Sequence, residues 1–146
     1  MPPLDPALEA AAHAALSRTA DALTDRLAEA LRPVELTPTQ YGVLRALREA
    51  GAAGLRCSDL GQRLVTREPD VTRLLDRLDR RGLIQRWRDD DDRRVVRARL
   101  TAEGLRLTNS LDRLVADFYA RTLGHLDEPQ LRTLLATLER IRQPPV

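Results

Sequence analysis

Leu8, Ala12, Leu16, Ala20, Leu23, Leu27 and Leu31 recur at three- and four-residue spacing and draw one apolar stripe down a first helix that must end before Pro33. A helix of about seven turns is longer than a small domain's own core can cover. The alanines in the stripe permit close helix approach, so part of this face is expected to meet a second subunit. With 146 residues, 42% hydrophobic and 32% charged, the chain has material for one domain with a modest core and is too charged for a membrane protein. No apolar run approaches the roughly 20 residues that span a bilayer. The opening Met1-Pro2-Pro3-Leu4-Asp5 has neither a basic n-region nor an apolar h-region, so the expected place is the cytoplasm, away from any membrane.

Punctuation sets the remaining elements. Thr37-Pro38-Thr39-Gln40 combines an N-cap, a proline at the first helical position and a glutamine that reaches back to the cap, and the helix it opens ends at Gly51. A short strand at Leu55-Arg56 and a brief helix near Ser58 to Leu64 follow, then a turn around Val65 to Glu68. The next helix is expected to hold Pro69 in its first turn and to run to Arg81, before Gly82. Leu83 to Arg88 and Val95 to Leu100 read as a hairpin around Asp89-Asp90-Asp91-Asp92-Arg93-Arg94, since Val96, Ala98 and Leu100 alternate with Arg97 and Arg99. Thr101 caps another helix, expected to be long and continuous, with Leu107, Leu111, Leu114, Val115 and Phe118 on one face. Asp127-Glu128-Pro129-Gln130 repeats the capping arrangement before Leu131, Leu134, Leu135, Leu138 and Ile141.

A short helix, a tight turn, a second helix and a hairpin describe a winged helix-turn-helix, here flanked by long terminal helices in a mainly α fold. Leu60, Leu64, Val71 and Leu74 fall where two steeply crossing helices interdigitate, and Gly61 lets the second approach. All 24 basic residues are arginine, and from Arg56 to Leu100 there are 13 arginines against 9 acids, whereas the rest of the chain is net acidic. A local basic excess suits phosphate contact, because neutralising phosphates releases counterions. With Val71, Leu74, Leu75 and Leu78 buried, Thr72, Arg73, Asp76 and Arg77 turn outward or to the flanks. Thr66, Arg67, Asp70, Thr72 and Arg73 are then best placed for base edges or phosphates in a major groove. Asp70 could accept from a cytosine amino group or only cap the helix.

The segments Val71-Thr72-Arg73-Leu74-Leu75-Asp76-Arg77-Leu78, Arg81-Gly82-Leu83-Ile84-Gln85-Arg86, Asp92-Arg93-Arg94 and Leu100-Thr101-Ala102-Glu103-Gly104 resemble, in order and spacing, the MarR (multiple antibiotic resistance regulator) family of transcription factors. The resemblance covers nearly the whole chain and implies one domain over 1–146, with a DNA-binding lobe at about 37–100 and dimerisation helices at about 5–32 and 102–142. It implies a homodimer that places two recognition helices in successive major grooves of a palindromic operator and two wings in adjacent minor grooves. Repression relieved by a small effector, aromatic or anionic, or by an oxidant is implied as well. In the wing, the family's Asp-x-Arg pattern falls on Asp92 and Arg94, with Arg94 entering the minor groove and Asp92 bracing it; Arg93 lies between them. Four aspartates stand at Asp89–Asp92 where Asp-Pro-Glu-Asp is commoner, and Asp89 to Asp91 are expected to point away from phosphate. The family's effector pocket lies between the dimerisation helices and the DNA-binding lobe, which makes His13, Ser17 and Tyr41 its candidate polar lining.

Other chemistry finds little support. Cys57 sits beside Arg56 near a helix start, which favours a thiolate, but the members of the resembling family that sense oxidants do so through a cysteine in the first helix, where this chain has none; inert packing is the simpler reading. Cys57, His13 and His125 are too few and too scattered for zinc or for a nucleophile–base pair, and no Gly-rich phosphate loop is present. No catalytic residue, metal or cofactor is expected. The alternative to a DNA-binding regulator is a winged-helix module for protein–protein assembly without specific DNA binding.

Overall fold

The computed structural model of the chain describes residues 5–64 and 70–143. The helices are α1 (Pro6–Leu31), α2 (Pro38–Ala50), α3 (Cys57–Arg63), α4 (Val71–Arg80), α5 (Ala102–Ser110), α6 (Asp112–Leu123) and α7 (Glu128–Arg142). The strands are β1 (Leu55–Arg56), β2 (Ile84–Arg88) and β3 (Val96–Leu100), in an antiparallel sheet of order β1-β3-β2, and 3₁₀ turns occupy Arg32–Val34 and Gly51–Ala53. This is a mainly α fold with a small sheet, a winged helix-turn-helix with long helices on either side. Among the described residues no helix is long and apolar enough to cross a membrane. The chain divides into two compact units, one up to Asp112 and one from Arg113 onward.

The first unit is organised around leucines. Leu31, Leu44, Leu47, Leu60 and Leu78 are fully buried, together with Ile84 and Ala98 of the sheet, and each large side chain removed from water contributes about 1.5–3 kcal/mol. In α2 the capping box forms as expected: Gln40 N donates to Thr37 Oγ1 at 3.1 Å, and Thr37 N donates to Gln40 Oε1 at 3.0 Å. α3 approaches α4 closely at Gly61, where an added Cβ would lie 3.3 Å from Val71 Cγ2. In the hairpin, Ile84↔Leu100, Arg86↔Ala98 and Arg88↔Val96 share one face, while Gln85↔Arg99 and Trp87↔Arg97 share the other; Ile84 and Ala98 are the buried residues of the first face. The base of the hairpin is closed by α5. Thr101 N donates to Leu83 O, Thr101 Oγ1 donates to Gly82 O at 2.6 Å, and a Cβ on Gly104 would collide with the Leu83 carbonyl, so only glycine fits.

Two helix expectations need correction. α4 starts at Val71 with Asp70 as its cap, so the first turn does not hold Pro69, which itself lies outside the described residues. A carboxylate able to bond the Arg73 N–H outweighs a proline's preference for the first turn. The helix capped by Thr101 is not continuous either: α5 ends at Ser110 and α6 begins at Asp112. Thr108 Oγ1 donates to Gly104 O at 2.7 Å and Ser110 Oγ donates to Leu107 O at 2.6 Å, while Leu111 N falls back to a tighter bond with Thr108 O. Short polar side chains competing for helix carbonyls break the ladder there.

In the second unit Val115 and Phe118 are buried, and the Phe118 and Tyr119 rings lie 5.7 Å apart, tilted by 60°. The capping box of α7 forms as expected between Asp127 and Gln130. No described residue of α7 is buried; Leu134, Leu135 and Ile141 are exposed. In α1 the situation is similar, with Leu31 alone buried among its described residues and Leu8 and Leu16 exposed.

Candidate nucleic-acid interface

α4 buries Leu74, Leu75 and Leu78 and turns Thr72, Arg73 and Arg77 to solvent, as its sequence spacing requires. Asp70 is its N-cap: one carboxylate oxygen accepts from Arg73 N at 2.9 Å and the other pairs with Arg73 Nε at 3.1 Å. Thr66 and Arg67 lie outside the described residues. Asp76, expected outward or on a flank, lies on the flank that meets the wing. Arg86 of β2 donates from Nη2 to Asp76 Oδ1 at 2.7 Å and from Nε to Asp79 Oδ2 at 3.0 Å. A guanidinium between two carboxylates one helical turn apart recruits both, which no periodicity within α4 could announce. Burial works against the charge of Arg86, but the hydrogen bonds to Asp76 and Asp79 outweigh it and raise the arginine above its ordinary value.

The wing tip is a turn built from its own aspartates. Asp89 N donates to Val95 O and Val95 N donates to Asp92 O, both at 2.9 Å, and Asp89 Oδ1 accepts from the Asp91 and Asp92 amides. Asp89 also faces Arg97 at 3.6 Å, Asp90 pairs with Arg93 at 3.7 Å, and Arg88 donates to Arg93 O at 2.9 Å. The local bonds of Asp89 thus shape a turn that lacks the commoner proline.

Asp92 grips Arg94 three times. Its Oδ1 accepts from Arg94 N at 3.1 Å and from Nε at 3.2 Å, and its Oδ2 accepts from Nη2 at 3.4 Å. The side chain of Arg94 is nevertheless 92% exposed, so its direction is set while its charge stays available. The Arg94 side-chain and backbone bonds hold the Asp92 carboxyl below the usual range, aided by the charge of Arg56. Arg56, the exposed N-cap of α3, was not singled out for DNA contact from the sequence. The pairing of β1 with β3 sets Arg56 opposite Arg97 on a strand of the wing.

The candidate effector residues are differently disposed: His13 and Ser17 are exposed on α1, and Tyr41 is buried in α2. A shallow cleft of about 360 Å³ along α1 is lined by Ala15, Arg18, Thr19, Ala22, Leu23 and Arg26, and by none of those three. Cys57 is half-buried at the start of α3, and burial pushes its thiol above the ordinary value. The cation that opposes this is Arg86, where the sequence had suggested Arg56. Among the described residues no cluster of three or more histidine, cysteine or carboxylate side chains could hold a metal.

Comparison with known proteins fixes the family. Residues 36–96 match the family model for the MarR family. The transcriptional regulator FarR of Neisseria gonorrhoeae is 30% identical over 129 residues, covering 86% of this chain and 87% of that protein. The chain belongs to the MarR family of transcriptional regulators. Among solved structures, the MarR transcription factor from Planctomyces limnophilus is 39% identical to this MarR-family chain, with a TM-score of 0.69 and coverage of 88% and 93% of the two chains. A variant of Escherichia coli MarR complexed with operator DNA is 26% identical, with a TM-score of 0.80 and coverage of 94% and 99%.

Proposed function

We propose that this MarR-family regulator binds duplex DNA sequence-specifically as a homodimer and represses transcription until a small aromatic or anionic effector releases it. Arg94 carries this reading, because a cation that is oriented by a carboxylate and still open to solvent suits insertion into a narrow minor groove. In this scheme α4 enters the major groove, with Arg73, Thr72 and Arg77 meeting bases or phosphates beside Asp70 and the segment holding Thr66 and Arg67. Asp92 aims Arg94, and Arg93 adds positive charge at the same tip.

In this reading residues 1–146 form a single MarR-like domain, with the lobe at about 37–100 reading DNA and the helices at about 5–32 and 102–142 joining two protomers. The uncovered apolar residues of α1 and α7 support this, as does the operator-bound Escherichia coli relative. His13, Ser17 and Tyr41 are proposed to contact the effector, and the cytoplasm is the compartment this role requires. Binding to random duplexes and to duplexes selected by the protein itself, measured across a salt series, tests the reading. DNA binding predicts a steep fall with salt and a preference for the selected sequence, whereas an assembly module predicts neither. Sedimentation at micromolar concentration tests the dimer, which a stable monomer would refute.

A further inference from the structure

One side chain joins the end of the recognition helix to the end of α1. Arg81 caps α4 with helical backbone angles, its own N–H bonded back to Arg77 O and Asp79 O. Its guanidinium then leaves the helix: Nη1 donates to Glu35 O at 2.6 Å and Nη2 donates to Val34 O at 3.1 Å. These successive carbonyls belong to the turn that follows α1 and precedes the capping box of α2. The turn is sharply defined. Glu35 is the one described non-glycine residue with left-handed backbone, φ 55° and ψ 41°, and its N–H donates to Arg32 O at 3.0 Å. Leu31 and Leu36 are buried on either side, so both ends of the turn are anchored in the core. A bent turn that a side-chain-bearing residue rarely adopts thus presents two oxygens to one planar fork, a match that a lysine's single point charge cannot reproduce.

α4 is therefore held by two arginines, to the wing through Arg86 and to the turn after α1 through Arg81. The second tie reaches no residue of the wing. We infer that Arg81 is a positioning residue for operator recognition: it fixes the angle of α4 to α1 and so sets the separation of the two recognition helices in the dimer. The inference rests on the proposed homodimer on palindromic DNA. In a twofold dimer joined through α1, any swing of α4 against α1 is repeated by the partner, so the error in separation doubles. One base pair added between half-sites moves them apart by about 3.4 Å and rotates them by about 36°, so a rigid α1–α4 link makes the protein selective for spacing, and a loose one does not.

The test uses the full-length protein and the palindrome it selects from a random duplex library, together with that palindrome shortened and lengthened by one base pair. Wild type, Arg81→Ala and Arg81→Lys are compared by anisotropy across a salt series, with thermal melts as the folding control. The expected result is a spacing preference about three- to tenfold weaker in Arg81→Ala, the size of effect that positioning residues exert through a fold, with Arg81→Lys in between. The salt slope should be the same in all three. Two outcomes overturn the inference: an undiminished spacing preference in folded Arg81→Ala, or a slope that falls by about one phosphate in Arg81→Ala and returns in Arg81→Lys, which would make Arg81 a direct phosphate contact. If Arg81→Ala does not fold, unchanged spacing preference in Arg81→Lys decides against it. A wild type that selects nothing from the library removes the DNA-binding reading itself, and this inference with it.

Discussion

The base and the tip of the wing each hold an arginine against carboxylate, and they use it in opposite ways. At the base, Arg86 has only 26% of its side chain exposed and is shared between Asp76 and Asp79 of α4, so its charge is spent within the protein. At the tip, Arg94 leans on a single carboxylate and remains almost wholly in solvent. An ion pair at a helix–strand junction locks two elements together, whereas an exposed pair of two neighbouring residues contributes little to stability and mainly sets direction. The same residue types therefore give a brace in one place and a pointer in the other.

The largest expected effect falls on the brace. Arg86→Ala leaves Asp76 and Asp79 without their shared cation and should cost about 1–3 kcal/mol of stability, read from denaturant or thermal unfolding. It should also weaken operator binding, because α4 and the wing lose their fixed relation. If Arg86→Ala unfolds like wild type, the base is no brace and the contrast with the tip collapses. Arg73→Ala comes next: if the exposed Arg73 reads a guanine, operator affinity should fall by about 1–3 kcal/mol and random-duplex affinity by less. Equal losses on both duplexes would make it a phosphate clamp. Smaller still is Asp92→Ala, which frees Arg94 without removing its charge and should weaken operator binding about two- to fivefold with an unchanged salt slope.

The pH dependence of that pair follows from its sign. Because Asp92 is held below its ordinary range in the folded protein, its contribution is present above the unfolded-state pKa and is lost only as pH falls through the lower folded value. The Asp92→Ala defect should therefore be constant between about pH 5 and 8, well above the ordinary carboxylate range; a defect that titrates there would contradict the bracing. Cys57→Ser should change nothing in peroxide response, since burial holds the thiol above its ordinary value and so disfavours thiolate. Peroxide titrations of operator binding by the two proteins, side by side, decide this.

What the sequence disclosed was local. Capping boxes at Thr37–Gln40 and Asp127–Gln130, the strand at Val96–Leu100 and the Asp92–Arg94 pair all join residues within a few positions, and all are present in the structure. What it concealed was remote or competitive. The Arg81 bonds to Val34 and Glu35 link residues more than forty positions apart, and the Arg86 brace joins a helix to a strand. Neither follows from the periodicity of one element. At Leu111 and Asp70 local signals competed: the apolar spacing continued through Leu114 and Phe118 while Thr108 and Ser110 took carbonyls from the ladder, and the carboxylate cap started α4 after Pro69.

The pointer at the tip is the centre of the account, and the salt dependence of operator binding by wild type and Arg94→Ala tests it most directly. With circular dichroism confirming an intact fold, Arg94→Ala should bind the operator more weakly, lose preference for A·T-rich flanks, and show a logarithmic salt slope shallower by about 0.9, the value of one phosphate neutralised. A folded Arg94→Ala protein with wild-type affinity and wild-type slope would contradict the account and leave recognition to α4 and the residues that precede it.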